Sequence, residues 1–222
     1  RVNIEGTYNI LSTVCDLCPE ALVIMTGSSA EYARSKENTK IKEDYNLEPS
    51  SIYGISKLAN YHLSKLLTKT KNLKIIYTRP FFVIGPRKVG DVSSDFAKSI
   101  INIERKRSKV LMHGNLESIR DFVDIEDCIN AFIKLSDLGK VGDIYNICSG
   151  YGTRVEDLLN EFCKLSECEI IRRVDKKLYR PVDELVRIGD PTKLELLGWE
   201  RQIPLKKTLE KILNYWRNEN NW

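Results

Sequence analysis

Histidine and methionine are scarce in this chain of 222 residues, with two of each, and the scarcity excludes some chemistry. His62 and His113 are far apart in sequence. The C-x-x-C of Cys15-Asp-Leu-Cys18 has no second cysteine pair or histidine cluster after it, so it reads as a reduced pair on a helix face rather than a zinc or redox site. Long apolar runs are also missing: no stretch could span a bilayer. The opening Arg1-Val-Asn-Ile-Glu5 has neither the basic nor the apolar region of a secretory signal. Charge of one sign is not in excess, the formal net value being +4. The basic run Glu104-Arg-Lys-Arg-Ser-Lys109 has no aromatic platform beside it, which suits a solvated helix end better than a nucleic-acid patch. Neither a membrane nor a nucleic acid is therefore expected as a partner. Six cysteines, with Cys128, Cys148 and Cys163 in apolar-periodic segments, read as small core residues and free thiols, and free thiols suit a reducing cytoplasm.

What is present is the pattern of an α/β protein. The length allows one large domain with a substantial core. Apolar periodicity predicts helices at about 3–17, 52–70, 93–106, 125–137, 154–165 and 205–217. Between them fall strands at about 22–27, 74–79, 109–112, 143–148 and 168–174. Thr153, with Glu156 three residues on, has the spacing of a capping box for the helix at 154–165. Strands alternating with helices imply right-handed crossovers and a mostly parallel sheet.

One stretch stands out. Tyr53-Gly-Ile-Ser-Lys57 sets a phenol and an ammonium on one helix face, and an ammonium at that range favours the phenolate, which suits a proton donor or acceptor. Upstream, the strand Ala21-Leu-Val-Ile-Met25 runs into Thr26-Gly-Ser-Ser29, and the C-terminal ends of strands are where open α/β sheets place their chemistry. A dinucleotide-binding fold should open with a strand and a glycine-rich turn, yet no G-x-x-G-x-x-G or G-x-G-x-x-G occurs and the chain begins in a helix. A truncated N-terminus is the expectation from that order.

Strand, serine cluster and Y-x-x-x-K together resemble the extended short-chain dehydrogenase/reductase family. Val2-Asn-Ile-Glu-Gly-Thr-Tyr-Asn-Ile-Leu11, Arg79-Pro-Phe-Phe-Val-Ile-Gly-Pro86, Gly114 to Asp124, Gly142 to Gly150, Arg180-Pro-Val-Asp183, Gly189-Asp190 and Gly198-Trp199 follow in the family's order. They look most like the GDP-4-keto-6-deoxy-mannose reductases and their relatives the GDP-mannose 4,6-dehydratases. The resemblance implies the C-terminal portion of a Rossmann-like parallel sheet (residues 1–86, with 126–149 returning to it) and a smaller α/β substrate-binding domain (87–125 and 150–222). It implies an NAD(P) cofactor, a nucleotide-sugar substrate, no metal, and a homodimer formed through the helices at 3–17 and 52–70.

Site residues follow from the same resemblance. Ser28 and Tyr53 are the hydroxyls that meet a sugar carbonyl, and Lys57 binds the nicotinamide ribose and tunes Tyr53. Pro80 falls on the cofactor side. Arg120 and Arg180 match arginines that hold the diphosphate, Asp183 an acid that reaches the ribose hydroxyls, and Asn115 a position beside the base. Two departures matter. Where a dehydratase carries a proton-removing glutamate this chain has Ala30, with Glu31 next to it expected to point elsewhere. Where the family usually has an asparagine it has Phe82, which can neither donate nor accept. The activity implied for the full-length parent is reduction of the 4-keto group of a nucleotide-activated 6-deoxyhexose, with the chain as given expected to be inactive. An epimerase or dehydratase of the same superfamily, or a fragment inactive as it stands, are the alternatives.

Overall fold

The computed structural model describes residues 1–35, 39–179 and 184–219. In chain order it forms α1 (Ile4–Leu17), β1 (Leu22–Thr26), a 3-10 turn (Ser29–Glu31), β2 (Lys40–Ile41), α2 (Ile52–Lys71), β3 (Lys74–Pro80), β4 (Phe82–Ile84) and α3 (Val92–Glu104). There follow β5 (Val110–His113), β6 (Ile119–Arg120), β7 (Phe122–Asp124), α4 (Ile125–Leu138), β8 (Ile144–Ile147), β9 (Thr153–Arg154) and α5 (Val155–Lys164). The last elements are β10 (Ile171–Val174), a 3-10 turn (Lys176–Leu178), β11 (Val186–Gly189), α6 (Thr192–Glu195) and α7 (Leu205–Asn218).

The main sheet is parallel, in the order β1-β3-β8. From Ile75 to Pro80 every residue of β3 is buried, as a central strand covered on both faces should be. Packing on one face is built from Leu11, Leu73 and Ile75 under α1 and α2, and on the other from Ile76, Cys128, Ala131, Leu135 and Ile147 under α4. Of α1 only Leu11 is buried. Ser51 caps the start of α2 by accepting from the Gly54 N–H at 3.0 Å, and Asn72 ends it with a left-handed φ of 56°.

A second core lies where α3, α5 and α7 meet, from Phe96, Ile100, Leu158, Phe162, Leu209 and Trp216. Short strands join the two regions: β4 pairs with β7, and β11 lies between β2 and β6, all parallel. Asp121, fully buried between β6 and β7, fastens this junction. Its carboxylate accepts from the Ser149 N–H and hydroxyl at 2.7 and 2.6 Å, the Gly150 N–H at 2.9 Å and the Gly189 N–H at 3.1 Å.

The helices and longer strands lie within a few residues of the periodicity. The cap of α5 differs. Residue Arg154, not Thr153, occupies the cap position, with no side-chain bond. Thr153 and Arg154 pair with β6 instead, and the first free N–H groups, Val155 and Glu156, donate to the Ser118 and Leu116 carbonyls at 2.9 and 3.0 Å. Neighbouring backbone satisfies the helix start, so no hydroxyl is needed.

Candidate active site

Parallel pairing brings the ends of β1 and β3 to the same edge of the sheet. Directly beyond β1, the chain turns sharply at Gly27, where a Cβ would overlap the Glu31 carboxylate and the Tyr77 ring. Ser28 then caps the 3-10 turn, its hydroxyl accepting from the Ala30 N–H at 3.2 Å while Glu31 Oε1 accepts from the Ser28 N–H at 2.8 Å. The first turn of α2 lies against this turn: a Cβ on Gly54 would overlap the Ala30 carbonyl. Glycine at that point lets the helix that carries Tyr53 and Lys57 reach the strand end that carries Ser28.

Tyr53 is 51% exposed, so its phenol is open to a ligand. Lys57, one turn on, holds its Nζ 5.9 Å from the Tyr53 ring centroid and donates to the Thr26 carbonyl at 2.9 Å. Burial pushes the Lys57 ammonium below its ordinary range, and the negative charge of Glu31 opposes that shift. Pro80, the last residue of β3, pairs beside Ile147 of β8 at this same edge. Ser28, Tyr53, Lys57 and Pro80 thus form one group at the C-terminal end of the main sheet.

Below them is a charged cluster that sequence reading passed over. Glu31, wholly buried, pairs with the equally buried Arg79 at 2.7 Å. Arg79 lies between the Tyr32 and Tyr61 rings, 4.7 Å from each centroid, and donates to the Tyr32 hydroxyl and the Glu43 carbonyl at 3.2 and 3.1 Å. The Tyr77 hydroxyl lies 2.9 Å from both Glu31 Oε1 and the Lys57 carbonyl. Burial first, and then the Glu31 charge, hold Tyr77 neutral by raising its pKa, and the Tyr53 phenol is close enough to add to the shift. From β11, Arg187 donates to the Ser29 and Tyr32 carbonyls. The signal was available: an arginine inside the apolar strand run Lys74 to Pro80 must find a carboxylate.

Beside this edge opens a cleft of about 640 Å³ that takes in Phe82, His113, Asn115, Leu116, Arg120 and Lys177 among its walls. Asn115 and Arg120 both line this cleft. Arg120 is 9% exposed and its guanidinium lies 5.4 Å from the Phe82 ring centroid. Arg180 and Asp183 lie outside the described residues; Tyr179, just before them, lines the cleft. Asp124 and Asp127 have structural partners: Asp124 caps α4 by accepting from the Glu126 N–H at 2.8 Å, and Asp127 accepts from the Gln202 and Ile203 N–H groups at 3.0 and 3.1 Å.

Comparison with known proteins bears on the family and the fold. The family model described as GDP-mannose 4,6 dehydratase matches residues 1–212. The chain is 26% identical over 222 residues to a GDP-6-deoxy-D-mannose reductase of Pseudomonas aeruginosa, covering 98% of this chain and 73% of the relative. To a GDP-6-deoxy-D-talose 4-dehydrogenase of Aggregatibacter actinomycetemcomitans it is 27% identical over 193 residues, covering 87% of this chain and 64% of the relative. The solved structure of RMD from Pseudomonas aeruginosa complexed with NADPH superposes with a TM-score of 0.88 at 27% identity, covering 97% of this chain and 73% of that one. The chain belongs to the GDP-mannose 4,6 dehydratase family, among the extended short-chain dehydrogenases/reductases.

Proposed function

We propose that this protein reduces the 4-keto group of a nucleotide-activated 6-deoxyhexose, of the GDP-4-keto-6-deoxymannose type, with NADPH or NADH as reductant. The observation that carries reduction over dehydration is at residues 30 and 31. A dehydration needs a base that takes a proton from the sugar. At the expected position stands the methyl group of Ala30, and the neighbouring Glu31 carboxylate is buried and committed to Arg79, Tyr77 and the Ser28 N–H. A simple reduction needs no such base.

The residues present fit a nicotinamide cofactor at the sheet edge: an exposed phenol, an ammonium one helical turn away fixed to the Thr26 carbonyl, and Pro80 ending the adjacent strand. A bound nicotinamide would supply the hydride. Tyr53 and Ser28 donate hydrogen bonds to the sugar carbonyl oxygen as it gains negative charge, and the Tyr53 proton is transferred to it. Lys57 holds the ribose and keeps a positive charge beside the phenol. Arg120 with Arg180 neutralises the diphosphate, for which a guanidinium fork is suited. Asp183 takes the ribose hydroxyls, and Asn115 with Leu116 packs on the base.

Two copies would pair through α1 and α2, whose exposed Ile4, Tyr8, Ile10, Ile52 and Ile55 make an apolar surface. The described residues contain no helix long and apolar enough to cross a membrane, and with six free cysteines a reducing cytoplasm is the compartment this reading assigns.

The test is stoichiometry. With GDP-4-keto-6-deoxymannose and NADPH, the purified protein should oxidise one cofactor for each sugar reduced, followed by loss of NADPH absorbance and by product chromatography. Sugar turnover without net cofactor consumption would instead mark an epimerase or dehydratase.

A further inference from the structure

We propose that Glu31 is a positioning residue of this site, which holds the Ser28 turn and the Tyr53–Lys57 helix in register and sets the electrostatic environment of Lys57. This deepens the reading above and rests on it for the roles of Ser28, Tyr53 and Lys57. The geometry is that of a junction. One carboxylate oxygen, Oε1, accepts from the Ser28 N–H at 2.8 Å and faces the Tyr77 hydroxyl at 2.9 Å. That hydroxyl also lies 2.9 Å from the Lys57 carbonyl, so its single proton is shared between the serine turn and the catalytic helix. The other oxygen, Oε2, is anchored by Arg79 Nε at 2.7 Å. Gly27 leaves the space the carboxylate occupies, since any Cβ there would overlap it.

Three elements therefore meet on one side chain: the end of β1 through Ser28, the middle of β3 through Tyr77 and Arg79, and α2 through Lys57. Such an arrangement fixes the separation between the Ser28 and Tyr53 hydroxyls, which must both reach one carbonyl oxygen, and misplacement of such groups by about 1 Å is enough to cost about a hundredfold in rate. Charge is the second part. Among the described residues, Lys57 has against it the Thr26 carbonyl, the Tyr53 ring on its own helix, the Tyr77 hydroxyl at its carbonyl, and Glu31 across the turn, itself paired with the Arg79 cation of β3. Burial lowers the affinity of Lys57 for its proton and Glu31 restores part of it. A neutral residue 31 would leave burial unopposed, and Lys57 would deprotonate at lower pH.

The experiment is titration of Lys57 by NMR with isotope-labelled lysine, assigned with Lys57→Arg, in the wild type and in Glu31→Gln. The expected result is a downward shift of the Lys57 midpoint in the variant. Because Glu31→Gln leaves Arg79 buried without its partner, the double variant Glu31→Gln/Arg79→Met is measured beside it; it removes both charges, so its downward shift should be smaller, the loss of the Arg79 cation offsetting part of the loss of the Glu31 anion. A Lys57 midpoint unchanged in folded Glu31→Gln overturns the electrostatic role. Steady-state kinetics give the second readout. In either variant kcat should fall about tenfold to a hundredfold, with the KM for the nucleotide sugar within about twofold. Equal changes in kcat and KM, or none, overturn positioning. The titration needs no substrate, so it stands even where the assigned reaction fails, and absence of turnover in the wild type refutes the reaction without touching the Lys57 result.

Discussion

Tyr53 and Lys57 do their proposed work because of what surrounds them. A phenol that is half exposed can reach a ligand, and the ammonium beside it is held by a carbonyl rather than by a carboxylate, so its charge is not cancelled at contact. Removing only the proton donor, Tyr53→Phe, should lower kcat by about 10²–10⁴ while cofactor affinity changes little, which stopped-flow turnover and a cofactor titration would resolve. Glu31 is different in kind, because its loss should be felt in the fold as well. Glu31→Ala strands the fully buried Arg79 guanidinium, and breaking a buried pair from one side costs about 3–5 kcal/mol. Urea unfolding should register that as a lower midpoint. An unchanged midpoint would mean that the pair contributes nothing net.

Helices and strands are joined here by a few charged side chains placed at their ends. Glu104, the last residue of α3, accepts from Arg217 Nε and Nη2 on α7 at 3.0 and 2.7 Å, and from the Glu167 N–H at 3.0 Å beyond α5. Burial works against the charged form of Glu104, but the Arg217 bonds outweigh it and hold the carboxyl below its usual 4.5. A carboxyl depressed in the folded state adds stability above its unfolded pKa, and that stability is lost as pH falls through the folded value. Arg217→Gln should thus destabilise by about 1.5–3 kcal/mol at neutral pH, and the gap from wild type should shrink as pH falls below 4.5. Paired denaturation curves across that range would show it. Asp121 plays the corresponding part between β7, the turn after β8, and β11. Asp121→Asn puts an NH₂ where two donors already point, leaving buried groups unmatched at about 1–3 kcal/mol each.

Across the whole molecule, the proposed chemistry falls where two separately packed regions meet. The sheet edge presents Ser28, Tyr53 and Lys57; the cleft next to it presents Asn115 and Arg120. If the cleft takes the nucleotide diphosphate, Arg120→Ala should raise the KM for the nucleotide sugar far more than it alters cofactor affinity, and equal effects on both would contradict that division. Phe82 tests the same boundary. It packs edge-on against Phe122 with centroids 6.0 Å apart and under the Arg120 guanidinium, so an aromatic wall stands where the resemblance implied an asparagine. Phe82→Asn should loosen Arg120 and shift preference among nucleotide sugars, read as the ratio of kcat/KM values.

Much of this was legible in the residues. Apolar periodicity located the helices and the longer strands, because a half-covered helix or a fully covered strand needs that spacing whatever the neighbours. The Tyr53–Lys57 spacing placed two side chains on one helix face, and the serines after β1 fell at a strand's C-terminal end. Short pairings such as β6 with β9 carried no period of their own, being stabilised by segments far away in sequence, and so the cap of α5 was misread at Thr153. Glu31 shows the limit most clearly. From the sequence it was only an acid beside the place where a base was missing. Its burial, its pairing with Arg79 from β3 and its bond to the Ser28 N–H depend on two parallel strands and a helix arriving at one point. A single charged side chain cannot be buried without that company, and only the tertiary structure provides it.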